Sequence, residues 1–150
     1  MKNFVSILIL IILSHCGYSS IYNNSENQKF KIVLEEMSGD KSINNLIRTK
    51  LKRYSSDKND IIYTINSNTN FTKTVLSKDK TGKATNIKLF FEAEFKVKFN
   101  GNIKSFSFKE NLNIENSSDT YEQNNYENVI ENNFVSSIIE KLIVKLTLLQ

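Results

Sequence analysis

Residues Ile87–Phe99 read IKLFFEAEFKVKF, and Asn100-Gly101 follows directly. Ile87, Leu89, Phe91, Ala93, Phe95, Val97 and Phe99 occupy every second position. Lys88, Glu92, Glu94, Lys96 and Lys98 fill the places between, with Phe90 the exception. A strand with one buried and one wet face alternates in this way, as antiparallel sheets commonly do. Asn100-Gly101 supplies a two-residue hairpin turn, because both residue types tolerate positive φ. The return strand starts at Ile103, and Phe106, Phe108, Leu112 and Ile114 line its inner face.

Upstream, Ile61, Tyr63 and Ile65 keep the same period. It lapses over Asn66–Asn70 and resumes at Phe71, Val75 and Leu76, which predicts a strand with a bulge or break in its middle. Lys78-Asp79-Lys80-Thr81-Gly82 is the turn into the alternating strand. Phe30, Ile32 and Leu34 predict a short first strand over Lys29–Leu34, ended by Ser38-Gly39-Asp40. Asp40 or Ser42 can cap a helix over about Lys41–Tyr54, with Ile43, Leu46, Ile47 and Leu51 on one face. Its outer face is basic (Arg48, Lys50, Lys52, Arg53), and late cations complement the helix dipole without any functional cause.

Downstream of the return strand, Asn116–Asn125 is a polar connection. Helical spacing then returns with Tyr126, Ile130, Phe134, Ile138 and Leu142, joined by Val129, Ile139, Ile143 and Leu146. Ser118 or Asp119 is the candidate cap, and the helix reaches almost to Gln150. Tyr121 and Tyr126 read as packing or capping contacts. The order β-α-β-β-β-α predicts an α+β two-layer sandwich, a mainly antiparallel four-stranded sheet covered by two helices. The opposite sheet face, rich in lysine, glutamate and threonine, would meet water or a hydrophilic partner.

The chain opens MKNFVSILILIILSHCGYSSIY. A basic start leads into an apolar run of signal-peptide length, short of the roughly 20 residues a membrane span needs. Leu13-Ser14-His15-Cys16 then presents the chain's single cysteine where a bacterial lipobox places its acylated one. His15 departs from the small residue usual there. The reading is a signal peptide over residues 1–15, a lipidated tether over 16–27 starting at Cys16, and one domain over 28–150. An ordinary signal peptide and an uncleaved anchor are the alternatives. One acyl chain holds weakly, but several together anchor stably.

The formal charge of +4 is mild and spread out, so it permits an anionic partner without specifying one. No nucleic-acid partner is expected. One cysteine cannot pair within the chain, and no zinc set exists. The single histidine, His15, falls in the signal segment. No glycine-rich phosphate loop is present. Glu35-Glu36 and Glu92/Glu94 are paired carboxylates of the kind a hydrolase could use, but a solvated sheet face with mixed charge accounts for the second pair at less expense. The sequence therefore predicts no enzyme, no cofactor and no metal.

Cys16-Gly17-Tyr18, followed by Ile21-Tyr22, resembles the start of the LPS-assembly lipoprotein family, LptE. The helix segment Asn44-Asn45-Leu46-Ile47-Arg48-Thr49-Lys50-Leu51, the long meander, and the polar stretch Tyr121–Asn128 before the last helix agree in order. The resemblance covers the whole mature chain and is sharp only at Cys-Gly-aromatic. The proline that often follows that aromatic residue is missing.

The resemblance implies an outer-membrane lipoprotein, anchored on the periplasmic side. It would plug an LptD-type β-barrel one to one, assist that barrel's assembly, and take part in inserting lipopolysaccharide into the outer leaflet, with no catalysis and no cofactor. Family lipopolysaccharide contact is associated with a basic residue in the turn between the second and third strands. That position matches Lys80, with Lys78 and Lys83 beside it. Turns also carry lysines for solubility alone. A second family base, ahead of the last helix, has no match, since Glu122 and Gln123 stand there. The competing reading is a lipid-anchored periplasmic lipoprotein serving an ABC-type lipid transporter.

Overall fold

A computed structural model describes Phe30–Gln150. Its elements are β1 (Lys31–Gly39), α1 (Lys41–Lys52), β2 (Ile62–Lys78), β3 (Ala84–Phe99), β4 (Asn102–Glu115) and α2 (Thr120–Thr147). The four strands form one sheet in the order β1-β2-β3-β4. β1 runs parallel to β2, which requires the α1 crossover, while β2, β3 and β4 form an antiparallel meander. The α+β order and the helix-covered sheet are those the periodicities predict.

β3 is the spine. Ile87, Leu89, Phe91, Ala93, Phe95 and Val97 are all buried between the sheet and the helices. The Asn100-Gly101 turn has φ of 47° and 76°, the left-handed region such a turn demands. The other face forms mixed polar rows across the meander, such as Asn66, Lys96 and Ser105, or Asn70, Glu92 and Lys109.

β2 corrects the expected break. It is continuous, and Asn66–Asn70 pair in step with Lys96–Glu92. Ser67 and Thr69 keep the inward positions and are buried, so the period survives while the hydrophobicity lapses. The cause is close approach at this corner. Thr69 Oγ1 lies 3.0 Å from Asn44 Oδ1 and 3.3 Å from the Ser38 carbonyl, while Asn44 Nδ2 donates to that carbonyl at 3.1 Å. Bulky apolar side chains do not fit there. The irregularity in β2–β3 pairing falls instead between Val75 and Lys78.

β1 is also longer than expected, ending at Gly39. Its register against β2 slips between Leu34 and Met37. Ile32 and Leu34 face the core before the slip, and Met37 packs on the core after it. This change of parity hides the second half of the strand from a simple period of two.

Asp40 caps α1, its Oδ1 accepting from the Ile43 N–H at 3.0 Å. The helix stops at Lys52, short of Tyr54, as Arg53 and Tyr54 N–H groups turn back to the Lys50 and Leu51 carbonyls. Ile43, Ile47 and Leu51 are buried. α2 starts at the cap Asp119, whose Oδ1 accepts from Tyr121 and Glu122 N–H groups at 2.8 and 3.1 Å. Its buried stripe runs through Ile130, Phe134, Ile138, Leu142 and Leu146. The end of α2 is tied to the start of β2, where Tyr63 Oη donates to the Leu146 carbonyl at 2.9 Å. Burial pushes the Tyr63 phenol above its ordinary range.

Candidate functional site

The β2–β3 hairpin carries the turn that the sequence singles out. Lys78 pairs with Ala84 across its neck. Asp79 organises the tip: its Oδ1 accepts from the Thr81 N–H at 2.8 Å, the Thr81 hydroxyl at 2.7 Å and the Lys83 N–H at 3.0 Å. The Asp79 N–H also donates to the Lys83 carbonyl at 2.9 Å, and the Gly82 N–H to the Asp79 carbonyl at 3.0 Å. The Thr81 hydroxyl, then the Lys83 and Thr81 N–H groups, hold the Asp79 carboxyl below its usual range. Lys78, Lys80 and Lys83 are exposed and ride on this one clamped turn. The fold brings all three together.

The neck is braced by hydroxyls and amides. Ser77 Oγ and Thr85 Oγ1 lie 2.6 Å apart, and Asn86 Nδ2 donates to Ser77 Oγ at 2.9 Å. Asn116 reaches across from beyond β4, its Nδ2 donating to the Ala84 carbonyl at 3.1 Å. Just below the neck, Val75 and Leu76 are 46% and 49% exposed. The turn with its three exposed lysines therefore lies next in sequence to two exposed aliphatic side chains, one on each face of β2. Ammoniums act as point charges toward phosphate, and the aliphatic surface offers a place for an apolar body.

The remaining sequence candidates are dispersed. Glu92 pairs with Lys109 across the outer sheet face at 2.8 Å, and this hydrogen bond raises the Lys109 ammonium above its ordinary value. Glu94 stands exposed beside it, and Glu35-Glu36 sit exposed at the β1 slip. Among the described residues no three metal-capable side chains cluster, and no helix is long and apolar enough to cross a membrane. Tyr121 and Tyr126 are 75% and 51% exposed, and Val129 is exposed too, so neither tyrosine has the expected packing role. Gln123 and Glu127 turn toward the sheet instead. Gln123 Oε1 accepts from the Ser117 N–H at 2.8 Å, and Glu127 pairs with Lys73. Cys16, with the signal and tether segments, lies outside the described residues.

One residue escaped the sequence reading. Glu110 lies on the inner side of β4, where its Oε1 accepts from Ser137 Oγ at 2.8 Å and Lys141 Nζ at 2.5 Å. Burial works to raise its pKa, but the Lys141 and Ser137 hydrogen bonds prevail and hold it below the ordinary carboxylate value. Its signal was parity, since it alternates in step with Phe106, Phe108 and Leu112.

No protein-family profile matches the sequence, and no curated protein sequence matches it. Solved structures do match the fold. The rare lipoprotein B from Shewanella oneidensis superposes with a TM-score of 0.57 at 15% identity, over 79% of this chain and 98% of that one. A putative lipoprotein from Caulobacter crescentus gives 0.54 at 10% identity, over 79% and 88%. A minor lipoprotein from Acinetobacter baumannii gives 0.51 at 13%, over 80% and 93%. At these identities the likeness is one of fold.

Proposed function

We propose that the chain is an outer-membrane lipoprotein that acts as a structural and binding partner, without catalysis. Acylated Cys16 would hold it to the periplasmic leaflet. The domain would plug an LptD-type β-barrel, assist its assembly and help pass lipopolysaccharide to the outer leaflet. The observation that carries this reading is the outer sheet face. Its rows of Asn, Thr, Ser, Lys and Glu suit the hydrated, polar lumen of a large barrel. The shared fold with proteins named as lipoproteins supports the anchor, as does Cys16 after its apolar run.

Within this reading, Lys78, Lys80 and Lys83 present cations to lipid A phosphates. The test is a detergent pull-down of the tagged chain from outer membranes, with mass analysis of what comes with it. A large β-barrel in equal amount is the expected result. Inner-membrane transporter subunits instead would replace the barrel by an ABC-type lipid transporter. With the barrel present, Lys80→Ala should weaken lipopolysaccharide capture severalfold and leave the barrel complex intact. Unchanged capture removes the lysines from the proposal.

A further inference from the structure

The two edges of the sheet are treated differently. At β1 the segment after α1 covers the start of the edge: the Ile32 N–H donates to Ser55 Oγ at 2.9 Å, and the Ser56 N–H to the Phe30 carbonyl at 3.2 Å. β4 is 14 residues long, and among the described residues nothing bonds to its outer side. The groups it presents follow from the hairpin. A two-residue turn closes on the bonded pair Phe99 and Asn102, and the Asn116 N–H donates to the Thr85 carbonyl at 2.8 Å. Both facts put the polar groups of even-numbered residues onto β3. Alternation then turns the N–H and C=O groups of Ser105, Ser107, Lys109 and Asn111 outward. A bare edge of this length is a template for another strand.

The side chains select the occupant. Two β4 strands laid antiparallel about a two-fold axis at Ser107 match face to face. Phe106 meets Phe108 twice, and Lys104 meets Glu110 twice, both in the closely spaced, non-bonded class of pair. Ser105 meets Lys109, so no like charges are opposed. Ser137 and Lys141 both bond Glu110 through Oε1, leaving Oε2 to meet a second cation. Phe106 and Phe108 are only half-buried, so the second strand covers apolar surface that α2 leaves open. Moving the axis to Lys109 or Glu110 opposes like charges. The register joining Lys109 to Glu115 overlaps only residues 109–115, against 102–112 for the Ser107 axis.

We propose that β4 is a self-association edge, pairing antiparallel with β4 of a second copy about Ser107 to make one continuous eight-stranded sheet. The arrangement is isologous and closes at two copies. It concerns the chain outside any barrel: a one-to-one plug is a single copy, so the pair would separate on entry, and the association is measured on the chain alone.

The test is sedimentation equilibrium of the full chain in detergent, with nitroxide labels placed singly at Asn111 and Asn113. A dimer is expected, with Cα separations of about 27 Å between the two 111 positions and about 41 Å between the two 113 positions, from the strand rise. Lys104→Glu opposes two carboxylate pairs and should raise the dimer dissociation constant about tenfold or more, with the circular dichroism unchanged. Ser107→Pro removes an outward N–H while sparing the β3 ladder, and should do the same. If the proline variant misfolds, Lys104→Glu decides, since its side chain is exposed. A monomer at every concentration, separations that do not grow from 111 to 113, or a dimer indifferent to Lys104→Glu would each overturn the proposal.

Discussion

Replacing Gly39 by alanine should be among the most damaging small changes available to this fold. Two penalties act together. Gly39 has φ of +94°, outside the range L-residues favour, and this conformation alone costs an alanine about 1–2 kcal/mol. A Cβ there would also lie 1.9 Å from the Thr69 carbonyl oxygen and 2.9 Å from the Thr69 nitrogen. The obstacle is backbone, held within the Ser38–Asn44–Thr69 network, so no side chain can swing aside. Overpacking of this kind costs about 1–3 kcal/mol more. The sum is about 2–5 kcal/mol, a large part of the stability of an ordinary domain. Gly101→Ala is the control. It has φ of +76° and open space around its Cβ, so it carries the conformational penalty alone. Urea unfolding of the two variants separates the contributions. Gly39→Ala should fall below Gly101→Ala by at least about 1 kcal/mol. Equal midpoints would refute the claim that β1 and β2 are locked together at Thr69.

Glu131 has its pKa raised by burial, then by Asp40 and by Glu127 one turn away. A carboxyl raised on folding opposes stability above its folded pKa and ceases to do so as pH falls through it. Glu131→Gln should therefore stabilise the chain at pH 7, by about 0.2–0.5 kcal/mol from the like-charge pair on the helix, and the gain should vanish in acid. Glu110 is depressed, so its contribution is present above the unfolded pKa and is lost as pH falls through the folded one. Glu110→Gln should be less stable than the wild type at pH 7, and the gap should close in acid melts. Tyr63→Phe should cost about 1 kcal/mol and no more, because the Leu149 N–H still serves the Leu146 carbonyl. Thermal melts measure it.

β3 was legible because its inward row is apolar at every second place from Ile87 to Phe99, and its outward row is charged at every place but Phe90. β1 was half legible: the slip between Leu34 and Met37 reverses which residues face inward, and a period of two cannot follow a reversal. In β2 the eye is misled by Ser67 and Thr69, which face inward but are small and polar where strand, helix start and neighbouring backbone converge. The first turns of α2 misled in the other direction. Tyr126 and Val129 look like core, yet the inward places belong to Gln123 and Glu127, which serve the Ser117 N–H and Lys73. Those contacts are tertiary, and helical spacing does not encode them. The lysine tip was legible from its turn residues, and Asp79 as its clamp follows the ordinary habit of aspartate in turns. Glu110 was legible only to a reader willing to place a charge on an inward row.

The bond from Tyr63 to the Leu146 carbonyl spans 83 residues and is made by the last turn of α2. In chain order the meander precedes its cover, and hairpins form in microseconds. An exported chain emerges N-terminus first, so there is an interval in which Glu115 is out and Leu146 is not. For that time the row from Ile87 to Val97 has only α1 above it. A nascent chain with a finished but half-covered sheet is the species most prone to pair with its neighbours. The vulnerable moment in the life of this protein is set by the place of α2 after the meander, and truncation anywhere before Leu142 would make that moment permanent.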